Sequence, residues 1–505
     1  MSLFKKCSTM RDLKQAHARI ITRGLEQSQF HGGKLVGFCA VSDGGDMDYA
    51  VSIFRRFRKP DGFLWNTMIR GFTRSGNQAG AFEYYKEMQS SGFSPDNFTF
   101  SFLMKLCGKS MLVLAGEQLH CSALKSGLDS HLFVRNTIMH MYGMFGEIDT
   151  ARQLFDEMPE PSLVSWNTIL DCYVCCNKFE EALNLFSVMF VSGIEPDEAT
   201  LVVIVSACSE LGELSLGRSI HDSIRHGNLT SIISVSNAFI NMYSKCGAVK
   251  EALATFHDMK VRNTLTWNTI ILGLAKHGYA DEAMRLFTRM LKERLQRPDG
   301  ITFLGVLCAC SHCGRVEEGM EYFEIMREKF MIQPTIKHYG CMVDMMGRAG
   351  LVDEAYRLIQ TMSIECNAIV WRALLAACHL HGRVELGNEV MKHLQALEPG
   401  HSGDYVLLSS LYAGLGKWNE ALEVRRLMHG RRVEKLKPGN SSIGLDPKSE
   451  NTEVIVPANH TVSTPQISFD VEGCTAIGGC DLAQSTPQKQ RWPFQENYEL
   501  GKIYA

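Results

Sequence analysis

The sequence lacks an apolar run long enough for a membrane-spanning helix. Such a helix needs about 18 or more consecutive apolar residues, and no run of that kind occurs in the 505 residues. A marked excess of one charge is missing too, because 52 Lys and Arg and 55 Asp and Glu give a net charge of −3. We therefore expect no membrane contact, and any nucleic-acid binding would depend on a local groove and on base contacts.

The sequence also lacks the residues of a zinc-dependent cytosine deaminase. These enzymes need a His-x-Glu, in which histidine binds zinc and glutamate moves protons, together with a Pro-Cys-x-x-Cys. None of the 17 histidines is followed two places later by glutamate, and no Pro-Cys pair occurs. We therefore expect no deaminase activity and no other catalytic residues in this chain.

Cysteines are plentiful, but the context of a disulfide scaffold is missing. Most of the 17 cysteines lie inside apolar helical stretches, and no secretory signal pattern precedes them. Cys172 and Cys175, and the stretch from Cys308 to Cys313, have the Cys-x-x-Cys spacing of metal ligands. Both stretches fall within predicted first helices without a second half-site, so the sequence predicts reduced core cysteines, with no metal and no cofactor.

What the sequence has is a long internal repeat. The tripeptide Trp-Asn-Thr occurs at 65–67, 166–168 and 267–269, and each copy lies 101 residues after the last. Pro-Asp pairs follow about thirty residues later, at 95–96, 196–197 and 298–299. Because both patterns keep the same step to within one residue, the whole unit recurs and a repeat architecture is predicted.

Each 101-residue unit divides into three helical hairpins. In 163–197, apolar residues at helical spacing form two groups separated by a break near Asn177, and Gly193 and Pro196 then stop the second helix. The next two segments repeat this pattern at lengths of 35 and 31 residues. The predicted repeats are 62–96, 97–131, 132–162, 163–197, 198–232, 233–263, 264–299, 300–335 and 336–367.

The predicted fold class is all-α, a right-handed α-solenoid of stacked helix-turn-helix hairpins with a concave groove. A single hairpin cannot bury its own apolar stripe, so neighbours must stack. Small residues would allow close helix approach at Ala182, Ala252, Ala283 and Ala355. Residues 1–61 are interpreted as degenerate N-terminal repeats, and 446–505, rich in Pro, Ser, Thr and Gln, as a disordered or atypical tail without assigned function.

These repeats resemble the plant pentatricopeptide-repeat family, specifically its P-L-S subclass, over roughly residues 10 to 445. The motifs that carry the resemblance are Trp-Asn-Thr-Ile at 166–169, Glu-Glu-Ala-Leu-Asn-Leu-Phe at 180–186, Gly-Arg-Ser-Ile-His at 217–221 and Asn-Ala-Phe-Ile-Asn-Met-Tyr-Ser-Lys-Cys-Gly at 237–247. Segments 370–375, 385–387, 404–409 and 437–443 resemble the E1 and E2 motifs, which would occupy 368–445.

The resemblance implies that each repeat reads one RNA base with the fifth residue of its first helix and the last residue of the repeat. The implied reading pairs are Asn66 with Asp96, Asn136 with Ser162, Asn167 with Asp197, Asn237 with Asn263, and Asn268 with Asp299. The resemblance implies a preference for uracil at the Asn–Asp pairs, and a preference for cytosine over uracil at the Asn–Ser and Asn–Asn pairs. The four remaining repeats offer weak readers, Ser101 with His131, Val202 with Ile232, Leu304 with Thr335, and Gly340 with Asn367.

The implied target is single-stranded organellar RNA of the pattern U-n-C-U-n-C-U-n-n. A competing interpretation of Asn66, Asn167 and Asn268 is that each amide caps its own helix backbone. The Trp beside each of these residues is interpreted as packing. At the end of the array, Trp371 lies 104 residues after Trp267, and no Asn follows it. This change in the pattern indicates the start of the E motifs.

The implied function is recognition of C-to-U RNA editing sites in a chloroplast or mitochondrion. By resemblance, the E motifs would recruit a deaminase-bearing pentatricopeptide-repeat protein in trans, and organellar editing-factor proteins would bind the L repeats. One alternative is RNA binding for transcript stabilisation, processing or translation. Another is a protein-binding helical scaffold, although tetratricopeptide repeats are 34 residues long and would not place Asn–Asp pairs recurrently in a groove.

Overall fold

A computed structural model describes residues 7, 9–224, 228–293, 296–431, 433, 468–469 and 475–476. The chain divides into two compact units, Met1–Met242 and Tyr243–Ala505. Apart from two short strands, the predicted tail at 446–505 lies outside the described residues, as does the end of the predicted E2 motif at 437–443.

The first unit is built from α-helices and one short 3-10 turn. Its helices are α1 Met10–Thr22, α2 Gln29–Val41, α3 Met47–Phe54, α4 Gly62–Arg74, α5 Gln78–Ser90, α6 Asn97–Ser110, α7 Val113–Lys125, α8 Leu132–Phe145, α9 Ile148–Asp156, α10 Leu163–Cys175, α11 Phe179–Val191, α12 Glu198–Leu211 and α13 Leu214–Ile224. The 3-10 turn Asn228–Ser231 follows, and then α14, Ile233–Lys245, spans the boundary between the units.

The second unit continues the same helical pattern. Its helices are α15 Val249–Asp258, α16 Thr264–Lys276, α17 Ala280–Glu293, α18 Gly300–Cys313, α19 Val316–Glu324, α20 Ile336–Arg348, α21 Val352–Gln360, α22 Ala368–Leu380, α23 Val384–Leu397, α24 Ser402–Gly414 and α25 Trp418–Gly430. Helix α19 runs into a π-helical turn at Ile325–Lys329. Two short antiparallel strands, β1 Ser468–Phe469 and β2 Thr475–Ala476, pair Ser468 with Ala476.

The hairpin of α10 and α11 shows how the sequence stops its helices. Helix α10 ends at Cys175, Asn177 follows with φ +57°, and α11 begins at Phe179. After α11 the chain turns at Gly193, where φ is +75°. Both residue types tolerate this left-handed backbone conformation, which ends a helix. The predicted pair of helices with a break near Asn177 is confirmed.

Within each unit, the first helices of successive hairpins pack side by side. Helices α2, α4, α6, α8, α10 and α12 form one such row, and α16, α18, α20, α22 and α24 form another. Each first helix also contacts the second helix of its own hairpin. Ala182, Ala252, Ala283 and Ala355 are almost fully buried, as expected for residues that allow close helix approach.

The tryptophan of each Trp-Asn-Thr tripeptide is a packing residue. Trp65 lies 4.7 Å from Phe54, measured between ring centroids, and Trp166 lies 4.8 Å from Phe155. Each ring thus contacts the last helix of the preceding hairpin in an edge-to-face arrangement, which adds to the free energy gained by burying the ring. The interpretation of these tryptophans as packing residues is confirmed, and their recurrence sets how one hairpin stacks on the previous one.

Candidate nucleic-acid interface

The three asparagines of the tripeptides occupy the same place in three helices. Asn66, Asn167 and Asn268 are each the fifth residue of their helix, in α4, α10 and α16. These asparagines lie in the second turn of the helix, whereas a capping residue stands just before the first turn. The caps of these helices are instead Asp61, Ser162 and Asn263, whose side chains accept hydrogen bonds from backbone N–H groups of the first turn. The interpretation that the tripeptide asparagines cap their own helices is therefore wrong.

Each of these asparagines donates a hydrogen bond to the aspartate that precedes the next first helix. Nδ2 of Asn66 lies 2.9 Å from Asp96 Oδ2, and Nδ2 of Asn167 lies 2.9 Å from Asp197 Oδ1. The same distance joins Asn268 to Asp299. The structure therefore brings together three of the five reading pairs that the family resemblance implied.

Those aspartates are also the N-caps of α6, α12 and α18. Their carboxylates accept the backbone N–H of the third helical residue, and the side chain of that residue, a threonine in all three helices, accepts the N–H of the aspartate. This reciprocal arrangement is a capping box. A carboxylate here also interacts favourably with the partial positive charge of the helix N-terminus. The start of the next helix thus fixes the aspartate that the asparagine contacts.

The threonine of each capping box reaches back to the asparagine. Thr99 Oγ1 donates to Asn66 Oδ1 at 2.6 Å, and Thr200 Oγ1 donates to Asn167 Oδ1 at the same distance. The third contact, from the next helix to Asn268, is 2.5 Å long. We call these three networks the amide triads, and their members are Asn66–Asp96–Thr99, Asn167–Asp197–Thr200 and Asn268–Asp299–Thr302.

The pair Asn136 and Ser162 has a different environment. Asn136 is buried, and within the described part of the chain its Oδ1 has no hydrogen-bond partner. Ser162 caps α10, and its hydroxyl lies 3.0 Å from that of Ser165. The structure therefore leaves the amide of Asn136 without the network that holds the other three.

The fifth predicted pair is divided between the two units. Asn237 is buried in the first unit, and Asn263 caps α16 in the second, where its Oδ1 accepts the backbone N–H of Thr266 at 2.9 Å. Asn263 thus has the same capping role as the aspartates of the amide triads.

The fifth residues of the remaining repeats offer little to a base. Val202 and Leu304 are buried and apolar, and Gly340 has no side chain. Ser101 is buried, and its hydroxyl donates to the Asn97 carbonyl at 2.7 Å. Among the fifth residues, amide groups occur at the asparagines, of which Asn167 is partly exposed, whereas Asn66 and Asn268 are 8% and 3% exposed.

Exposed apolar residues precede several of these fifth positions by one helical turn, and the sequence reasoning missed them. Phe63 is 62% exposed and Val164 is also 62% exposed, three residues before Asn66 and Asn167. Residues three apart lie on the same helix face. The signal available in the sequence was an apolar residue at the second position of several first helices, outside the core stripe. Phe98 and Ile301 have the same position in α6 and α18 and are also exposed.

Arg372 takes the fifth position in α22 and is committed to ion pairs. Its guanidinium donates to Asp404 Oδ1 at 2.8 Å and to Glu398 Oε2 at 2.5 Å. Arg372 and Asp404 are both buried. At the fifth position of α22, Arg372 therefore stabilises the contact between α22 and α24.

The cysteine stretches form part of the packed core to differing degrees. Cys172, Cys308 and Cys310 are buried, and burial raises the pKa of the Cys308 thiol to about 11 and that of Cys310 to about 12. The core prediction is confirmed for these three, but Cys175 is only partly buried, and Cys313, at the end of α18, is exposed. Among the described residues, no three His, Cys, Asp or Glu side chains converge as metal ligands.

The architecture defines a helical-repeat protein, and comparison with known families identifies which kind. A model described as the PPR repeat family matches residues 60–109, 161–210 and 262–312. PPR repeat matches cover 133–160, 234–264, 301–329 and 337–365, and an E motif match covers 381–444. The chain belongs to the pentatricopeptide-repeat family, as its motifs predicted.

Relatives and solved structures agree with this assignment. The chain is 40% identical to a chloroplastic pentatricopeptide repeat-containing protein of Arabidopsis thaliana, over 88% of this chain and 73% of the relative. A second Arabidopsis relative, named as chloroplastic or mitochondrial, is 39% identical over 88% of this chain and 72% of its own. The crystal structure of PPR10 with an 18-nt psaJ RNA element has a TM-score of 0.68 at 17% identity, covering 84% of this chain and 64% of PPR10. The predicted all-α solenoid fold is confirmed.

None of the helices in the described part of the chain combines the length and the apolar character that crossing a bilayer requires.

Proposed function

We propose that this protein binds single-stranded RNA of a plant organelle in a sequence-specific manner and marks sites for C-to-U editing. The observation that carries the proposal is the recurrence of the amide triads at the starts of α4, α10 and α16. Family membership and the fold shared with an RNA-bound PPR10 support RNA as the ligand.

The chemistry of a carboxamide suits a pyrimidine edge. In an amide triad, one Nδ2 hydrogen is used by the aspartate and one Oδ1 lone pair by the threonine. A second hydrogen and a second lone pair remain, because the amide nitrogen has two hydrogens and the oxygen has two lone pairs. Asn167 can therefore donate and accept one further hydrogen bond each, as a base edge requires.

The exposed apolar residues one turn earlier suit the face of a base. Stacking of a base on an aromatic side chain such as Phe63 contributes about 1–3 kcal/mol and tolerates any sequence, and the aliphatic Val164 offers an apolar contact to a base face. We therefore assign affinity to Phe63, Val164 and their counterparts, and base choice to the asparagines. In this arrangement the near-neutral chain binds RNA without a large basic surface.

We assign the nine predicted repeats to successive bases, with the RNA running 5′ to 3′ along the protein. The register gives U-n-C-U-n-C-U-n-n, in which the amide triads read bases one, four and seven. Residues 1–61 would be degenerate repeats, and 368–445 would be E motifs that recruit a deaminase held on another chain. The E motif match at 381–444 supports this last assignment. Organellar editing-factor proteins would bind the L repeats.

The names of the relatives support placement in an organelle. Arabidopsis relatives at 40% and 39% identity are named as chloroplastic and as chloroplastic or mitochondrial. We therefore propose that this protein works in a chloroplast or mitochondrion.

Two measurements test the proposal. In a gel-shift assay, the full chain is expected to bind U-n-C-U-n-C-U-n-n RNA more tightly than a control in which every specified pyrimidine is replaced by a purine. Equal affinity for both would remove base reading. Transcript sequencing in a loss-of-function plant should then reveal a lost C-to-U change just 3′ of the tract. Unchanged editing with lower transcript abundance would instead favour transcript protection.

A further inference from the structure

We propose that Thr99, Thr200 and Thr302 are positioning residues that set the choice between uracil and cytosine. Each one would act through the asparagine of the preceding repeat, by holding its amide in one of two orientations. The inference rests on the proposed function, because it concerns how the same asparagines select a base. It adds a residue beyond the fifth and last positions of the repeat.

The location of these threonines suits a positioning role. All three are fully buried, so none can itself touch a base. Thr200 Oγ1 lies 2.6 Å from Asn167 Oδ1 and 3.0 Å from Asp197 Oδ1, and it accepts the Asp197 backbone N–H at 3.2 Å. A hydroxyl has one hydrogen. We place that hydrogen on the shorter contact, so Thr200 donates to the asparagine oxygen.

The donor and the acceptor of the triad together define one amide orientation. Asp197 offers only lone pairs, so it requires the Nδ2 side of Asn167, and Thr200 offers its hydrogen to the Oδ1 side. A 180° rotation of the amide would place Oδ1 against the carboxylate and bring two acceptors together. Oxygen and nitrogen of an amide are told apart by such a network. Both partners therefore favour the same orientation.

Amide orientation matters because the two pyrimidines differ in hydrogen-bond order. Uracil presents an N3–H donor beside a carbonyl acceptor at C4, whereas cytosine presents an N3 acceptor beside an amino donor. A carboxamide that is held in one orientation matches one of these orders. One that is free to rotate can match either. Holding the amide thus converts a pyrimidine reader into a reader of one pyrimidine.

The chain contains its own comparison at Asn136. The residue in the place of the threonine is Ser165, whose hydroxyl lies 3.0 Å from Ser162 Oγ. Oδ1 of Asn136 has no partner among the residues that the structure describes. This is a repeat whose pattern implies cytosine over uracil. The repeat of Asn136 thus lacks both the hydroxyl contact and the implied uracil preference.

The test compares three variants of the full chain on two RNAs that differ only by U or C at base four. Thr200→Val removes the hydroxyl, and we expect the U-to-C affinity ratio to fall about three- to tenfold, the effect of one neutral hydrogen bond. Thr200→Ser restores the hydroxyl and should restore the ratio. Thr168→Val is the matched control, because the Thr168 hydroxyl donates to the Val164 carbonyl and leaves the amide of Asn167 untouched.

The outcomes separate this inference from the proposed function. A wild-type ratio in Thr200→Val, or an equal loss in Thr168→Val, would overturn the positioning role while base reading stands. Equal binding of U and C by the wild-type protein would overturn base reading itself, and the positioning role with it. Circular dichroism checks folding. If Thr200→Val does not fold, the ratio is measured for Thr99→Val at base one, with Thr99→Ser as the restoring variant, under the same criteria.

Discussion

Helices α16 and α22 begin in the same way and differ at their fifth residue. Each has an asparagine cap that accepts a backbone N–H from its first turn, and each buries a tryptophan against an aromatic ring of the preceding helix. The fifth residue is Asn268 in α16, held in an amide triad, and Arg372 in α22, held by two carboxylates.

The two helices share the features that hold the hairpins together and differ in the side chain at the fifth position. The amide of Asn268 has a second hydrogen and a second lone pair beyond those used in its triad, whereas Arg372 donates three hydrogen bonds to Asp404 and Glu398. The cap and the tryptophan are thus properties of the hairpin stack, and in the proposed function the fifth side chain decides whether a hairpin reads a base.

The largest effect should come from breaking the buried ion pair between Arg372 and Asp404. Arg372→Ala leaves the buried Asp404 without its cation, and we expect the free energy of unfolding to fall by about 3–5 kcal/mol, as for other broken buried ion pairs. Urea denaturation measures this. Arg383→Ala, which removes the exposed ion pair with Asp353, is the control and should leave the stability unchanged. Equal effects of the two substitutions would show that burial of Arg372 does not matter.

A double substitution in the second amide triad tests the proposed base reading. Asn167→Thr with Asp197→Asn keeps a capping residue at 197, and the family pattern implies a change from uracil to adenine at base four. We expect a change in preference of about 1–3 kcal/mol, the scale of direct base contacts. Gel shifts with each base at that position measure it. The control Val202→Ala alters a fifth residue without a polar group and should change no preference. An unchanged preference in the double variant would contradict the proposed register.

The exposed apolar residues allow affinity to be separated from base choice. Phe63→Ala should weaken binding by about 1–3 kcal/mol, because a base loses its stacking partner, with the same ratio of affinities for U and C at base one. Fluorescence anisotropy with the two RNAs measures both quantities. Leu114→Ala, at an exposed site on α7, is the control. A change in the ratio at unchanged affinity would assign Phe63 to base choice instead.

The smallest effect should come from giving Asn136 a carboxylate. Ser162→Asp keeps a side chain that can cap α10 and places an acceptor like that of the amide triads at the end of this repeat. We expect preference at base three to move from cytosine toward uracil by about 0.5–1.5 kcal/mol, the value of one hydrogen bond. The same U and C titration measures the change. A stronger cytosine preference would show that Asn136 is oriented by something other than its repeat partner.

Sequence periodicity predicted the hairpins well because helix stops and packing residues are local signals. Asn177 ends α10 through its own backbone conformation, and Trp166 recurs wherever one hairpin contacts the last. The role of Arg372 was not predictable in this way. Its carboxylate partners lie 26 and 32 residues later in the chain, and only the stacked fold brings them to the guanidinium.

The candidate site was predictable in its residues but not in its connections. The family resemblance implied the pair Asn167 and Asp197, and the structure joins them by a hydrogen bond. Thr200 was missed because it lies in the following repeat, and a threonine in a first turn reads as an ordinary cap residue. Phe63 was missed because an apolar residue in an amphipathic helix is assumed to be buried unless the structure places it in solvent.

Each amide triad crosses the boundary between two repeats. Asn167 belongs to one hairpin, Asp197 starts the turn into the next, and Thr200 is part of the next helix. A segment cut at the hairpin boundary and grafted into another array would therefore leave its threonine behind. The proposed unit of base preference therefore runs from 166 to 200, and we expect an exchange of repeats to keep a preference when the cut falls after the first turn of the following helix.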